Sequence, residues 1–283
     1  MNYLAACSGG NDSVALMQFL FSHQEDFGVV YNNTGWAAEG WDARMEVIKV
    51  WCEQRGIPYF ETQSEGMEAL VRRKKGWPMP ASNMQFCTAA LKEAPTIKLL
   101  DEIDPDKELT ICTGRRRLES QNRSDLPQYQ TESPKHGGRD CWNPLYMHDE
   151  AMRDDLIYAA GFTPLPHSSQ ECFPCVCANK TDLAAIPKNS PRIDQIEAIE
   201  ISMGHTRNSK PRTMFRPYRV GGGVGIRQAV DWGHGQRGYK SAEAPEAYRL
   251  EGEGTDEPAD FVYDEHGQGL LFARQCDGGY CGN

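Results

Sequence analysis

The first twenty residues place a glycine-rich turn between an apolar run and a helical pattern. The run covers residues 3–7 (YLAAC), the turn covers residues 8–13 (SGGNDS), and residues 14–20 have helical spacing. A strand, a tight turn and a helix present backbone N–H groups and the positive end of the helix dipole to an anion. Adjacent glycines also let the backbone approach a phosphate closely. The segment therefore predicts an anion-binding loop.

Within this loop the carboxylate of Asp12 is unusual, because it adds negative charge to a phosphate site. We expect it to act indirectly, by orienting Mg²⁺ or the loop, or by capping the first helical turn. Ser8 and Ser13 can add hydroxyl donors. The loop lacks the lysine of the GxxxxGK[ST] motif, which argues against a P-loop NTPase. A plain strand–helix turn with capping serines is the alternative.

Composition limits the class of protein. A chain of 283 residues can bury one large core and carry an appendage. A net charge of −10 and a pI near 5.2 argue against a broad nucleic-acid-binding face. No apolar run approaches the roughly 18 residues of a membrane span, and no signal-peptide pattern is visible. We therefore expect a cytoplasmic protein with no membrane partner.

Strand-like and helix-like runs alternate along most of the chain. We predict strands at residues 4–7, 27–31, 58–62 and 109–113, and helices at 41–55, 67–73 and 88–102. This rhythm predicts an α/β fold, with a doubly wound parallel sheet that is Rossmann-like. Ligands of such sheets bind at the carboxyl ends of the strands, where the turns at 8–13, 33–35 and 114–117 would meet.

The second half is less regular. Residues 118–143 are polar and predict a loop or lid over the site. Helices are predicted at 147–160, 181–186 and 192–203, and the pattern breaks down after about residue 204. We therefore expect a nucleotide-binding domain at 1–204 and an irregular extension at 205–283, which is either poorly ordered or a small α+β appendage.

Ten cysteines in a reducing compartment need roles other than disulfides. Cys7, Cys52 and Cys112 lie in apolar patterns and are predicted to be buried. Residues 172–177 (CFPCVC) bring three thiols together, and such clusters bind Zn²⁺ or an iron–sulfur centre. A fourth thiolate could come from Cys87, at a predicted helix start that lowers a thiol pKa. A redox dithiol and a structural role are the alternatives.

Two cysteines, Cys276 and Cys281, lie near the C-terminal end of the chain. They are either an incidental exposed pair or a tail thiol that swings into the site. Guanidinium groups follow the fourth predicted strand at residues 115–117, and their forks suit phosphate or sulfate oxygens.

Together these segments resemble the phosphoadenylylsulfate (PAPS) reductase family of the adenine nucleotide α-hydrolase-like, or PP-loop ATP pyrophosphatase, superfamily. The resemblance covers residues 2–204 and rests on motifs in the family's order. They are SGGNDS at 8–13, Asn33-Thr34-Gly35 where the family usually has Asp-Thr-Gly, Phe86-Cys87-Thr88 with Lys92 and Pro95, Gly114-Arg115-Arg116 with Glu119, Ser120 and Arg123, Asn143-Pro144-Leu145, and Cys172-Phe173-Pro174-Cys175.

The resemblance implies an enzyme of sulfur metabolism that binds an adenine nucleotide. The family includes sulfonucleotide reductases, ATP sulfurylase small subunits and ATP pyrophosphatases that activate nucleic acid for sulfur insertion, as in DNA phosphorothioation. Reductases usually carry a degraded loop, whereas the loop at 8–13 is intact. This favours ATP, bound with Mg²⁺, and adenylyl transfer with release of pyrophosphate.

The resemblance also implies roles for single residues. The expected nucleotide-binding residues are Ser8, Gly9, Gly10, Asn11, Asp12, Ser13, Asn33, Thr34, Gly35, Gly114, Arg115 and Arg123. The expected catalytic residues are Asp12, Lys92, Arg115, Arg116 and Cys281. The expected ligands of a 4Fe–4S cluster, or of Zn²⁺ as the alternative, are Cys87, Cys172, Cys175 and Cys177. Thr88 replaces the second cysteine of the reductase pair, so either Cys177 substitutes for it or one iron stays open.

Two other functions stay open. A thiol-dependent reductase would make sulfite from PAPS or adenylylsulfate, and residues 280–282 (YCG) loosely resemble the Glu-Cys-Gly-Leu-His tail of such enzymes. A non-catalytic nucleotide-binding subunit is the third alternative. The acceptor is unknown; a nucleic acid held with a partner protein, a sulfur-donor protein and a homodimer are the partner predictions.

Overall fold

The computed structural model describes residues 1–80, 84–119, 125–207, 210–215, 224–235 and 248. The chain divides into two compact units. The described part of the first unit comprises residues 1–67, 85–119 and 125–173, and that of the second comprises 68–80, 84, 174–207, 210–215, 224–235 and 248. The predicted division at residue 204 stays a prediction.

The first unit is built on a six-stranded sheet with the order β3-β2-β1-β4-β6-β5. Neighbouring strands are parallel except β5, which runs antiparallel to β6. The strands are β1 (Tyr3–Cys7), β2 (Phe27–Asn33), β3 (Tyr59–Gln63), β4 (Thr110–Cys112), β5 (Tyr129–Ser133) and β6 (Arg139–Trp142). The predicted α/β, doubly wound class is confirmed.

Successive residues of a strand point to opposite faces of the sheet. Because apolar side chains lie on both faces, helices cover both of them. Ala5 and Val29 lie in the larger apolar cluster, whereas their neighbours Leu4 and Val30 lie in a second cluster with Leu100. The helices described along the chain are α1 (Asn11–Ser22), α2 (Trp41–Glu53), α3 (Met67–Lys74), α4 (Phe86–Thr88), α5 (Ala94–Ile103), α6 (Glu150–Ala159), α7 (Lys180–Ala184), α8 (Pro191–Met203) and α9 (Ile226–Gly233).

A wide π turn at Ala89–Glu93 joins α4 to α5 in one continuous helical stretch. Pro95, within the first two residues of α5, explains it. A proline lacks an N–H, and its ring crowds the carbonyl four residues earlier, so a regular α-helix cannot pass through it unstrained. Single π turns are frequent at functional sites, and this one carries Lys92.

Residues 129–133 and 139–142 form strands β5 and β6 of the sheet, so the loop predicted over 118–143 is wrong for these residues. The polar sequence hides β6 because Arg139, its first residue, is fully buried. Its Nε lies 2.6 Å from Oδ2 of Asp104, which is also buried. A charge neutralised in this way can occupy a buried strand position that an apolar pattern would not reveal.

The second unit is described in fragments and is mainly helical. Gly233 of α9 packs closely against α7, since a Cβ there would lie 2.7 Å from the Ala184 nitrogen. Glu200 of α8 is buried and accepts hydrogen bonds from the backbone N–H groups of Met214 and Ile226 and from the Tyr248 hydroxyl. None of the helices in the described ranges is both long and apolar enough to cross a membrane.

Candidate nucleotide site

The predicted anion loop lies at the carboxyl end of β1 and leads into α1. Gly10 is the residue before the helix, and Gly9 has a φ of 75°, which favours glycine. A Cβ on Gly9 would lie 2.6 Å from Sδ of Met45 in α2, and one on Gly10 would lie 2.9 Å from Cβ of Ser169. Both glycines are therefore required by close packing on either side of the loop.

Side chains on the loop and near it hold its shape. The Ser13 hydroxyl donates to the Gly10 carbonyl over 2.8 Å, and the Ser8 hydroxyl accepts from the Gly10 N–H over 3.4 Å. The Asn11 amide exchanges two hydrogen bonds with the backbone of Leu165. These contacts fix the backbone that would face an anion; the predicted nucleotide contacts of the same residues stay predictions.

Asp12 is paired with Arg116, whose Nε lies 2.6 Å from Oδ1 of the carboxylate. Arg116 is buried, with 3% of its surface exposed. The capping role predicted for Asp12 is wrong, because Gly10 occupies the N-cap position and α1 has no side-chain cap. The pair instead supports the loop-orienting role, and it cancels a negative charge that would repel a phosphate.

Gly114 brings the arginine segment onto the loop. A Cβ at this position would lie 2.7 Å from the Asp12 carbonyl oxygen, so only glycine allows this approach. Neighbouring arginines face different groups: Arg116 reaches Asp12, whereas the charge of Arg115 acts on His136. Burial, helped by Arg115, lowers the pKa of His136 to about 4. Arg123, and Ser120 of the same motif, lie outside the described residues.

The Asn33-Thr34-Gly35 turn follows β2 at the same edge of the sheet. Oδ1 of Asn33 accepts from the Gly35 N–H over 3.0 Å, and Gly35 has a φ of 62°. The Thr34 hydroxyl donates to the Glu171 carbonyl over 3.0 Å, and the Cys172 thiol donates to the same hydroxyl over 3.6 Å. A predicted nucleotide residue and a predicted metal ligand are therefore in contact.

Lys92 forms a buried ion pair with Glu171, a residue that the sequence analysis missed. Nζ lies 3.0 Å from Oε2, and each residue is 3% exposed. Burial raises the pKa of Glu171, and the Lys92 charge opposes that shift. The Tyr31 hydroxyl is also buried and has no hydrogen-bond partner among the described residues. Burial first, then the Glu171 charge, raises its pKa.

The cysteines in the apolar patterns are buried, as predicted. Burial raises the pKa of Cys7 to about 11 and that of Cys52 to about 12. It also raises the pKa of Cys112 and of Cys141, to which no role was assigned from sequence and which lies on β6 beside β4. Such thiols are protonated at neutral pH and are poor nucleophiles.

The predicted metal centre is not confirmed. Cys87 is buried on α4, and Cys172 lies beside Thr34, both in the first unit. In the second unit, the Cys177 N–H approaches Sγ of Cys175 at 3.4 Å. Within the described ranges, no three His, Cys, Asp or Glu side chains lie together in a group that could hold a metal ion. Cys276 and Cys281 lie outside those ranges.

Comparison with known families gives one match. The family model described as the phosphoadenosine phosphosulfate reductase domain matches residues 2–172, which is more than half of the chain. The match begins before the anion loop and ends at Cys172. It therefore contains the loop, the Thr34 turn, Lys92 and the Arg116 segment. No curated protein matches the chain.

Proposed function

The chain belongs to the phosphoadenosine phosphosulfate reductase family, and on that premise we propose that it is an ATP pyrophosphatase-type enzyme. Membership indicates a nucleotide-binding protein of a family that is generally enzymatic and acts on sulfur groups or nucleotides. Our proposal is more specific. The protein binds ATP through residues 8–13, transfers the adenylyl group to an acceptor and releases pyrophosphate, and the adenylylated acceptor is then ready to receive sulfur.

The intact loop carries this proposal. Its peptide groups are held by the Ser8 and Ser13 hydroxyls, and the pairing of Asp12 with Arg116 removes the charge that would oppose a diphosphate. Backbone N–H groups at a helix start are suited to a leaving group with several negative oxygens. A sulfonucleotide has no β,γ-diphosphate to fill such a loop.

The proposed reaction is a substitution at the α-phosphorus of ATP. An acceptor oxygen attacks this phosphorus, and the bond from it to the α–β bridging oxygen breaks. Pyrophosphate leaves with the electron pair, and the acceptor proton passes to water. Residues 8–10 and Ser13 hold the leaving group, while Arg115 and Lys92 stabilise charge on the phosphates. Lys92 would exchange Glu171 for a phosphate oxygen to do so.

Two cofactor predictions fit these residues less well. With Asp12 held by Arg116, the loop carboxylate is engaged and is not offered to Mg²⁺. Among the residues that the structure describes, no group of three His, Cys, Asp or Glu side chains that could hold a metal ion is found. An iron–sulfur cluster therefore stays a separate prediction, which the iron and acid-labile sulfide contents of anaerobically purified protein would test.

Pyrophosphate release tests the proposed function. Purified full-length protein, kept anaerobic, is incubated with ATP, Mg²⁺ and a panel of oxygen acceptors that includes single- and double-stranded nucleic acid. We expect pyrophosphate and AMP-linked acceptor in the wild type, and loss of both in Gly9→Ala. The matched control is Gly56→Ala, since Gly56 also has a positive φ, 67°, but a Cβ there would meet nothing within 4 Å. Equal activity in the two variants would contradict the proposal.

The reductase alternative rests on the family's description and on the tail residue Cys281. It predicts sulfite from PAPS or adenylylsulfate in the presence of a thiol reductant, with the product lost in Cys281→Ser. Sulfite formation without pyrophosphate release would establish this alternative. Tight ATP binding with neither product would favour the accessory-subunit alternative, in which a partner protein supplies the chemistry.

A further inference from the structure

We propose that Arg44 of α2 is a positioning residue for the anion loop and supplies its uncompensated positive charge. The inference rests on the proposed function, since it assumes a phosphate ligand at residues 8–13. No motif in the sequence points to Arg44. It emerges from the contacts that α2 makes with the loop.

Residues on one face of α2 pack directly against Gly9. Trp41, Arg44 and Met45 are spaced i, i+3 and i+4, so they lie on neighbouring positions of the helix surface. A Cβ on Gly9 would lie 2.6 Å from Met45 and 3.1 Å from Trp41. Between these two contacts, Nε of Arg44 donates to the Gly9 carbonyl over 2.6 Å. The helix therefore fixes the loop through a single charged hydrogen bond.

This hydrogen bond sets the direction of the Gly9–Gly10 peptide. In a trans peptide the carbonyl and the N–H point in opposite directions. Because Arg44 holds the Gly9 carbonyl, the Gly10 N–H is turned away from Arg44, toward the Ser8 hydroxyl. Glycines rotate readily, so without this restraint the peptide could flip and present its oxygen to the anion. Charge-assisted hydrogen bonds are roughly twice as strong as neutral ones, so this bond opposes the flip.

Charge balance points to a ligand as well. Arg44 is partly buried and stacks on the rings of Trp41 and Phe162, each 5.7 Å from its guanidinium carbon. It has no carboxylate partner among the described residues, and its Nη2 is buried without an acceptor there. Burial lowers the pKa of Arg44. A cation held in this way is costly unless an anion compensates it. The loop carboxylate, Asp12, is already neutralised by Arg116.

Equilibrium binding of inorganic pyrophosphate and of ATP to the full-length protein tests the inference. We expect Arg44→Gln to weaken both by roughly 10- to 100-fold, the value of a charged hydrogen bond. Arg44→Lys keeps the charge and one donor and should recover a substantial part of that loss. Adenosine, which has no phosphate, should bind equally to all variants. This readout separates a loop role from general damage to the fold.

Arg55 provides the matched control. It stacks on Phe21 and Trp51, with its guanidinium carbon 5.4 and 4.2 Å from the ring centres, and donates to the Trp51 carbonyl over 3.1 Å. Arg55→Gln should lower stability much as Arg44→Gln does, yet leave pyrophosphate binding unchanged. Unchanged pyrophosphate binding in Arg44→Gln would overturn the inference, as would equal losses in both Gln variants. A wild type that binds neither pyrophosphate nor ATP would instead count against the proposed function.

Discussion

Among the described residues, two glutamates are almost completely buried, and the chain accommodates them in different ways. Glu171, in the first unit, faces the ammonium group of Lys92. Glu200, in the second unit, faces neutral donors: two backbone N–H groups and the hydroxyl of Tyr248. Burial is the largest cause of a raised carboxyl pKa at both positions.

This difference distinguishes Glu171, whose ion-pair partner can be exchanged, from Glu200, which only links segments of the chain. Another charged group can displace one partner of an ion pair. A competing anion can therefore bind Lys92, and Glu171 would then lose its counter-charge. The donors around Glu200 belong to the backbone and to a tyrosine, and they tie α8 to residues 214, 226 and 248. A ligand-responsive carboxyl is therefore expected near the nucleotide site, and a structural one in the second unit.

The largest loss of stability is expected when one partner of the Lys92–Glu171 ion pair is removed. Glu171→Gln leaves the buried Lys92 ammonium without its counter-charge, which should cost about 3–5 kcal/mol of unfolding free energy. The double variant Glu171→Leu/Lys92→Met should recover most of this loss, because no charge stays buried. Urea denaturation measures both. The exposed pair Lys49–Glu46 is the control: Lys49→Met should change stability by less than about 0.5 kcal/mol. An equally small effect of Glu171→Gln would remove the contrast between the two glutamates.

The second effect is a pH dependence that Glu200 contributes. Burial raises its pKa from 4.5 to about 7, so the folded protein holds this proton more tightly than the unfolded chain. The resulting stability is complete below about pH 4.5 and is lost as the pH rises through 7. Between pH 5 and 8, unfolding free energy should fall by up to about 3 kcal/mol through this group.

Glu171 titrates in the same direction, so the contribution of Glu200 is measured as a difference. We expect denaturation midpoints of Glu200→Gln to depend less on pH than those of the wild type. Parallel pH profiles for the two proteins would show that Glu200 does not titrate in this range.

The smallest effect is expected at Tyr248. Tyr248→Phe removes one donor to Glu200 but leaves the two backbone N–H groups in place, so it should cost about 1 kcal/mol at pH 8. At pH 5 the cost should be smaller, because a protonated carboxyl gains less from the bond than a carboxylate does. Thermal unfolding at the two pH values measures this. A larger cost at pH 5 would mean that the hydroxyl bonds the neutral acid.

The parts that could be predicted from sequence are local ones. The loop at 8–13 was predictable because a strand, two glycines and a helix start are adjacent in the chain, and the alternating sheet followed from the same kind of pattern. Glu171 was not predictable from the sequence, since its partner Lys92 is 79 positions away and no sequence pattern links the two residues. Strand β6 was missed because the buried charge of Arg139 resembles surface sequence. Arg44 was missed because its role depends on how α2 packs.

The π turn before α5 has a consequence for chain length. Each residue of a helix turns the chain by about 100°, and a π turn adds the equivalent of one extra residue. Cys87 and the rest of α4 are therefore rotated about the helix axis, relative to where a regular helix continuous with α5 would place them. That rotation determines the side of the helix on which they lie. A one-residue insertion or deletion here would rotate everything before it to another side of the helix. This short segment is therefore sensitive to any change in its length.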